Sequence, residues 1–365
     1  MSYDLVIVGG GMVGASLAIA LSSSSRIALI DAGIQSEDAR LIALNHRSYS
    51  FFEKLGVWSK LISHAAPIEE VHVSFRKHFG ITRLRADQMN LSALGYVVPA
   101  KYINHALNEK LNSCDVTVIK PAKLKNIIQQ EKNILLEIEN HADISTKYLI
   151  GADGTHSTVR ELMKFKTDVL DYHQSALVTV TELSRSHYSV AYERFHEHGA
   201  IAMLPLKENR VATIWSDTAE NISVLKALSD EEFLIQLQKS FGYRLGKLQK
   251  INQRFVFPLK KYYVENPFKD NVLLIGNAAH TLHPIAAQGL NLALQEIDVL
   301  MQCYPDFEKF ISEMKNKIER AMNLSHRLTE IFAMDFFGMS LARSLMMLGL
   351  DVSGKAKEYF FREVV

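Results

Sequence analysis

The opening of the chain constrains its fold more than any other stretch. Residues 4–8 (DLVIV) form an apolar, β-branched run that reads as a strand buried on both faces. Gly9 to Gly14 follow as a glycine-rich turn, Ala15 to Leu21 continue as a helix, and a second strand from Arg26 to Ile30 ends at Asp31. Strand, glycine turn, helix and strand begin a parallel α/β sheet. Within the turn, Gly9, Gly11 and Gly14 give G-x-G-x-x-G, with Met12 and Val13 between the last two. The first glycine permits the tight turn, the second lets the backbone approach a pyrophosphate, and the third lets helix and strand pack closely. An acid at the end of the second strand accepts hydrogen bonds from a ribose. Glycines placed only for packing would leave Asp31 unexplained. Its charge also repels a 2′-phosphate, which favours FAD or NAD over NADP.

A similar segment lies near the other end, at residues 272–294. It reads as a buried strand, a turn at Gly276 and Asn277, a loop holding His280, His283 and Pro284, and a helix beginning near Gly289 with Leu290 and Asn291. A helix start offers unpaired N–H groups and a partial positive charge, which suits an electron-rich ligand edge. A third piece spans residues 148–160: a strand, the turn dipeptide Asp153-Gly154, and Ser157 placed to cap a helix containing Val159 and Arg160. Alone, it reads equally well as a capped turn with a surface arginine. Two such segments at opposite ends imply one nucleotide domain assembled from separated pieces, with another lobe inserted. β-Rich runs such as Ala176–Thr181, Ala200–Leu204, Val211–Trp215 and Arg254–Phe257 read as an antiparallel sheet in that lobe, and residues 67–85 add strands.

A formal net charge of +1 gives no electrostatic case for nucleic acid. The histidines show no metal-ligand spacing, so no metal is expected. Cys114 and Cys303, far apart, fit a reduced, cytoplasmic protein. The first strand starts at residue 4, which leaves no room for a signal peptide. No run of about 18 uncharged apolar residues is present, so no spanning helix is expected. The nearest candidate, Ile331–Leu350, is interrupted by Asp335 and Arg343. It reads as a docked helical tail, or as a surface that meets lipid or a partner.

In this order and spacing, the three motifs resemble the flavoprotein aromatic hydroxylases with the p-hydroxybenzoate hydroxylase fold. Within that group the chain is similar to the ubiquinone-biosynthesis hydroxylases, on the branch of the 2-octaprenyl-6-methoxyphenol hydroxylases. Asp38-Ala39-Arg40, Ala191 to Phe195 with Ala202 to Leu206, and Gly276-Asn277 carry the likeness. The implied fold is α/β. It comprises a Rossmann-like FAD-binding domain (1–66, 98–167 and 266–305), an inserted antiparallel-sheet substrate domain (67–97 and 168–265) and a helical C-terminal region (306–365).

The resemblance also implies roles. Gly9, Gly11, Met12, Val13 and Gly14 cradle the FAD pyrophosphate, Asp31 holds the adenosine ribose, and Arg40 lies along the cofactor. Lys101 stands near the phosphates where relatives carry Arg or Gln; a cation is kept but the bidentate fork of Arg is lost. Asp153 is the acid of a motif shared by FAD and NAD(P)H, with Arg160 supporting its turn. Gly276 and Asn277 meet the ribitol, Asn277 offering an amide where relatives carry Asp. Pro284, Gly289, Leu290 and Asn291 line the isoalloxazine.

The implied reaction uses NAD(P)H as a transient co-substrate and O2, through a flavin hydroperoxide, to hydroxylate a polyprenyl phenol in ubiquinone biosynthesis. Met203, Leu204, Pro205 and Leu206 are candidates for a dry pocket wall, or plain sheet core. His283 is the candidate catalytic base. For His280, a hydrogen bond to the loop backbone is the simpler role. Arg194 could hold a phenolate, although strand arginines usually face solvent. A tailed substrate implies peripheral contact with the inner face of a membrane or with other ubiquinone-synthesis proteins, and the apolar C-terminal segment also suits a homo-oligomer contact. Three other readings stay open: the same chemistry on a small soluble aromatic, a non-catalytic FAD-binding subunit, and a flavin reductase of prenyl double bonds.

Overall fold

A computed structural model describes residues 1–33, 38–76, 81–282 and 288–333, with side chains described up to residue 323. His283, Pro284 and the apolar segment beyond Ala333 lie outside the described residues.

The first sheet is built around β1 (Ser2–Val8). It pairs in parallel with β2 (Ile27–Ile30) on one side and β11 (Ile144–Gly151) on the other. β8 (Val116–Ile119) extends the sheet beyond β2; β19 (Val272–Leu274) and the antiparallel edge β18 (Phe268–Lys269) extend it beyond β11. A hairpin of β9 (Leu124–Gln129) and β10 (Ile134–Ile138) continues antiparallel from β11. The alternation in β1 explains why its second half, Leu5 to Val8, is apolar at every position. Leu5 and Ile7 enter one core with α1 (Met12–Leu21), while Val6 and Val8 enter another on the opposite face.

After β3 (Leu41–Asn45) come α2 (His46–Lys54) and the single turn α3 (Trp58–Leu61). β3 joins β7 (Gly95–Pro99) and β4 (Ala66–Ile68) in a small antiparallel sheet. This sheet takes strands from both sides of the domain boundary expected near residue 67. α4 (Ala100–Leu111) follows β7 directly and packs on α1.

The inserted lobe is one large sheet with strand order β16-β12-β15-β14-β13-β5-β6, and β17 paired to β12. Its strands are β5 (Glu70–Phe75), β6 (Ile81–Arg85), β12 (Asp168–Leu183), β13 (Val190–His196), β14 (Gly199–Pro205), β15 (Arg210–Thr218), β16 (Leu248–Ile251) and β17 (Phe255–Tyr263). The expected antiparallel pattern has one exception, because β5 runs parallel to β13. β5 enters from the small sheet rather than by a hairpin, so its direction is independent of the β12–β15 meander. α6 (Ala219–Ala227) and α7 (Asp230–Phe241) cover one face, where Leu177, Met203 and Trp215 pack on Ile222, Phe233 and Leu237. The other face turns toward the small sheet, with Ala191, Leu206 and Ala212 against Ile68, Leu94 and Val97. α5 (Thr158–Leu162), α8 (Gln288–Cys303) and α9 (Phe307–Ala333) complete the chain as described.

Candidate nucleotide and substrate site

The glycine turn is walled by backbone. Gly9 has φ +110°, and a Cβ there would stand 2.4 Å from the Ala152 carbonyl oxygen. A Cβ at Gly14 would stand 1.9 Å from the Gly9 oxygen, and one at Gly10 would meet the Asp31 carboxylate at 2.6 Å. At Gly11 no described atom lies within 4 Å. Gly11 is also the N-cap of α1, with no side-chain cap and no acid in the first turn. An open helix start behind a closed glycine wall fits a pyrophosphate.

The C-terminal turn reaches the same place. Gly276 has φ +56°, and a Cβ there would press on Val13 at 3.3 Å and on Ala293 of α8 at 3.4 Å. Met12 is buried and Asn277 exposed. Near the start of α8, a Cβ at Gly289 would meet no atom of a described residue within 4 Å, and Leu290 is half-buried against the core. Asn291 donates to the Ala43 carbonyl at 2.9 Å and accepts from the Asn45 N–H at 3.0 Å, which fixes α8 to β3.

Three candidates have partners that the sequence did not reveal. The Asp31 carboxylate accepts from the Gly33 N–H and meets Lys120 Nζ at 2.6 Å. That cation offsets the repulsion on which exclusion of a 2′-phosphate rested. Arg40, 54% exposed, directs Nε and Nη2 at Asp38, at 2.8 and 2.6 Å. Asn104 of α4 also donates to Asp38, and the Arg40 carbonyl accepts from the Ala100 N–H. Lys101 therefore shares a helix turn with this cluster; its Nζ lies 5.0 Å from the Tyr102 ring centre.

Asp153 accepts from the Val159 N–H through Oδ2, while Oδ1 is buried without a partner among the described residues. Burial pushes this carboxyl above its usual range, against hydrogen bonds that pull it down. An acceptor left empty beside the glycine turn fits a ligand hydroxyl. Arg160 is not the surface residue of the simpler reading. It is 7% exposed and donates to the Ala278 carbonyl at 3.0 Å and the Thr155 carbonyl at 2.6 Å. It thus ties the middle motif to the C-terminal turn.

His280 does not rest on loop backbone. Its Nε2 lies 2.9 Å from Glu296 Oε1, with the two side chains 3% and 2% exposed. The other carboxylate oxygen accepts from the Gly276 N–H at 2.9 Å. Burial lowers the imidazole pKa, but the charge and hydrogen bond of Glu296 outweigh it and the net direction is up. Glu296 is the site residue that sequence reading missed. Its signal was a charge between Ala293, Ile297 and Leu300 on the buried stripe of α8.

The candidate wall divides by strand alternation. Met203 belongs to the core under α7, whereas Leu204 and Leu206 face the small sheet. Arg194 shares the Tyr192 face, away from Leu204, and its Nε is buried without a partner among the described residues. No group of three metal-ligating side chains occurs among the described residues.

Residues 2–303 match the family described as FAD binding domain. The chain is 26% identical over 389 residues to ubiquinone hydroxylase UbiL of Rhodospirillum rubrum, covering 99% of this chain and 89% of that protein. To 3-demethoxyubiquinol 3-hydroxylase of Escherichia coli it is 28% identical over 316 residues, covering 82% and 78%. Among solved structures, p-nitrophenol 4-monooxygenase PnpA of Pseudomonas putida superposes with a TM-score of 0.79 at 14% identity, covering 99% and 97% of the two chains. The fold is the one the resemblance implied, and with most of its length matched the chain belongs to the FAD-binding domain family.

Proposed function

We propose that this chain is an FAD-dependent aromatic monooxygenase that hydroxylates a polyprenyl phenol in ubiquinone biosynthesis, with NAD(P)H as transient reductant and O2 as oxygen source. The observation that carries it is the meeting of three distant segments: Ala152 of the middle motif walls Gly9 and Gly14, the turn at Gly276 abuts Val13, and Arg160 binds the Ala278 carbonyl. The ubiquinone hydroxylases among its relatives support the choice of substrate.

When bound, FAD supplies the redox and oxygen chemistry. The chain's own residues bind, orient and exclude water. Gly9 to Gly14, with the start of α1, hold the pyrophosphate, and Asp31 takes the ribose in competition with Lys120. Asp153 Oδ1 accepts a cofactor hydroxyl. Asn277 reaches the ribityl chain, while Gly289, Leu290 and Asn291 border the ring. Arg40 and Lys101 serve the phosphates once Arg40 gives up part of its contact with Asp38. Leu204, Leu206 and Ala212 keep the ring face dry. No described helix is long and apolar enough to cross a membrane; the tailed substrate is taken from a membrane surface or a lipid-binding partner.

The test is NAD(P)H oxidation by the FAD-loaded protein, with mass spectrometry of the phenol. A product one oxygen heavier, formed from a prenyl phenol and not from small soluble aromatics, is the expected result. Equal turnover of soluble aromatics overturns the substrate assignment, and no O2-dependent product overturns the monooxygenase reading.

A further inference from the structure

One carboxylate stands in the middle of the large sheet's apolar face, away from Arg210, Glu182 and Lys250, which pair with one another at one end of it. Along β13, Ala191, Glu193 and Phe195 share the face that looks toward the small sheet. Ala191 packs in the cluster with Leu206, Ala212, Ile68 and Val97, and Phe195 packs with Phe75 and Ala200. Glu193 falls between these two apolar clusters. Ala202 on β14 and Val73 on β5 stand directly opposite it. The surrounding positions on this face are Thr82 and Leu84 on β6, Ala200 and Leu204 on β14, and Ile214 and Ser216 on β15. None carries a charge. The small sheet adds Ile68, Leu94 and Val97, and α9 packs across β13 and β14. The ionisable residues toward the end of α9 are Glu319, Arg320, His326, Arg327 and Glu330.

Glu193 is half-buried and makes no hydrogen bond or ion pair to any described residue. Burial alone pushes its carboxyl up to about 7. For sheet stability an apolar side chain would serve better here, because a desolvated carboxylate without a cation is costly. The small side chains of Ala191, Ala200 and Ala202 leave room in front of it. One end of this face adjoins Ala43, whose carbonyl holds Asn291 at the start of α8.

We propose that Glu193 receives the phenolic proton of the substrate, and that the strip around it takes a phenol bearing no acid group. This rests on the hydroxylase reading above. The proton passes from the phenol oxygen to the carboxylate as a ring carbon bonds one atom of O2. The other atom leaves as water, with the two electrons supplied by NAD(P)H. The ring carbon then sheds its own proton to solvent, and Glu193 returns the first proton to the phenol oxygen. A carboxylated ring would set a second anion against Glu193, with no cation at the neighbouring sheet positions, and is rejected.

The experiment measures hydroxylated product against pH for the FAD-loaded wild type, Glu193→Gln and Glu193→Asp, with NAD(P)H, O2 and a short-chain prenyl phenol. In the wild type, kcat/KM rises with pH through an inflection near 7, as the base form appears. Glu193→Gln is about 10²-fold slower above that pH and flat across it, whereas Glu193→Asp keeps an inflection. FAD content and melting temperature of each variant check the fold. A ring-carboxylated counterpart of the phenol is turned over poorly by the wild type.

Wild-type rate and profile in Glu193→Gln overturns the inference and leaves the hydroxylase reading standing. If Glu193→Gln loses FAD, a wild-type profile without the inflection overturns it. Equal turnover of the carboxylated ring removes the substrate-class claim. Absence of any hydroxylated product in the wild type removes both readings together.

Discussion

Glu296→Ala tests whether a buried carboxylate holds the C-terminal turn in place. The substitution takes away both partners of that carboxylate, His280 Nε2 and the Gly276 N–H. Breaking a buried ion pair from one side costs about 3–5 kcal/mol, and an unpaired buried N–H adds about 1 kcal/mol. An unfolding entropy of about 2.1 cal/mol/K per residue, over 365 residues, converts a total of about 4–6 kcal/mol into a melting temperature lower by about 5–8 °C. Because the Gly276 turn also borders Val13 in the cofactor wall, FAD binding weakens by about tenfold, roughly one hydrogen bond's worth of free energy. Glu296→Gln keeps an acceptor for Gly276 and loses about half as much stability. The pH dependence follows from the sign of the histidine shift. His280 has a raised pKa in the folded chain, so its contribution is complete below the unfolded value near 6.5. It is lost as pH rises through the folded value. The wild type should therefore exceed Glu296→Gln by more at pH 6 than at pH 9. Calorimetry across that range, with flavin absorbance of the purified protein, measures both effects. A Glu296→Ala protein that melts within about 1 °C of wild type and retains its FAD would refute the reasoning.

Gly14→Val places a side chain 1.9 Å from the Gly9 oxygen, so the purified protein should carry no flavin absorbance. Asp153→Asn keeps an acceptor for the Val159 N–H and removes a charge whose folded pKa is raised. The FAD-free variant should melt above wild type at pH 7, with the gain shrinking toward pH 4, where the wild-type carboxyl is also protonated. Arg160→Met strands the Ala278 and Thr155 carbonyls and should cost about 3–5 kcal/mol by denaturant titration, while Arg160→Lys recovers part of this through one of the two bonds.

What could be read from the sequence was local. The strand, glycine turn and helix at residues 4–21 follow from composition over a few turns of chain, and the structure has all three, with the strand starting earlier at Ser2 and the helix earlier at Met12. The likeness of the segments at 4–21 and 272–294 suggested one domain, and their strands do share a sheet, but it did not reveal that Val13 leaves no room for a side chain at Gly276. Partners across long separations left no trace: Lys120 beside Asp31, Asn104 on Asp38, Glu296 on His280. Each pairing depends on how strands and helices stack, which a linear pattern does not encode. Face assignments failed for a related reason. Alternation along β14 predicts that Met203 and Leu204 point opposite ways, yet only the register with β13 and β15 shows which one meets the small sheet. Glu193 was invisible on the same ground, since a single acid in a strand ordinarily reads as solvent-facing.

The turn at residues 276–280 is held from two directions by buried charges on different segments. Arg160, from the middle motif, binds the Ala278 carbonyl, and Glu296, from α8, binds the Gly276 N–H and His280. Neither contact involves a cofactor atom. The chain's own residues thus hold the turn, which lowers the cost of ordering it on binding. Leaving Asp153 Oδ1 without a protein partner works against stability in the empty protein and in favour of the loaded one. A rigid turn beside an unsatisfied acceptor is what a site built for a resident, rather than passing, nucleotide requires. The proposed reaction thus assigns this turn to the resident FAD.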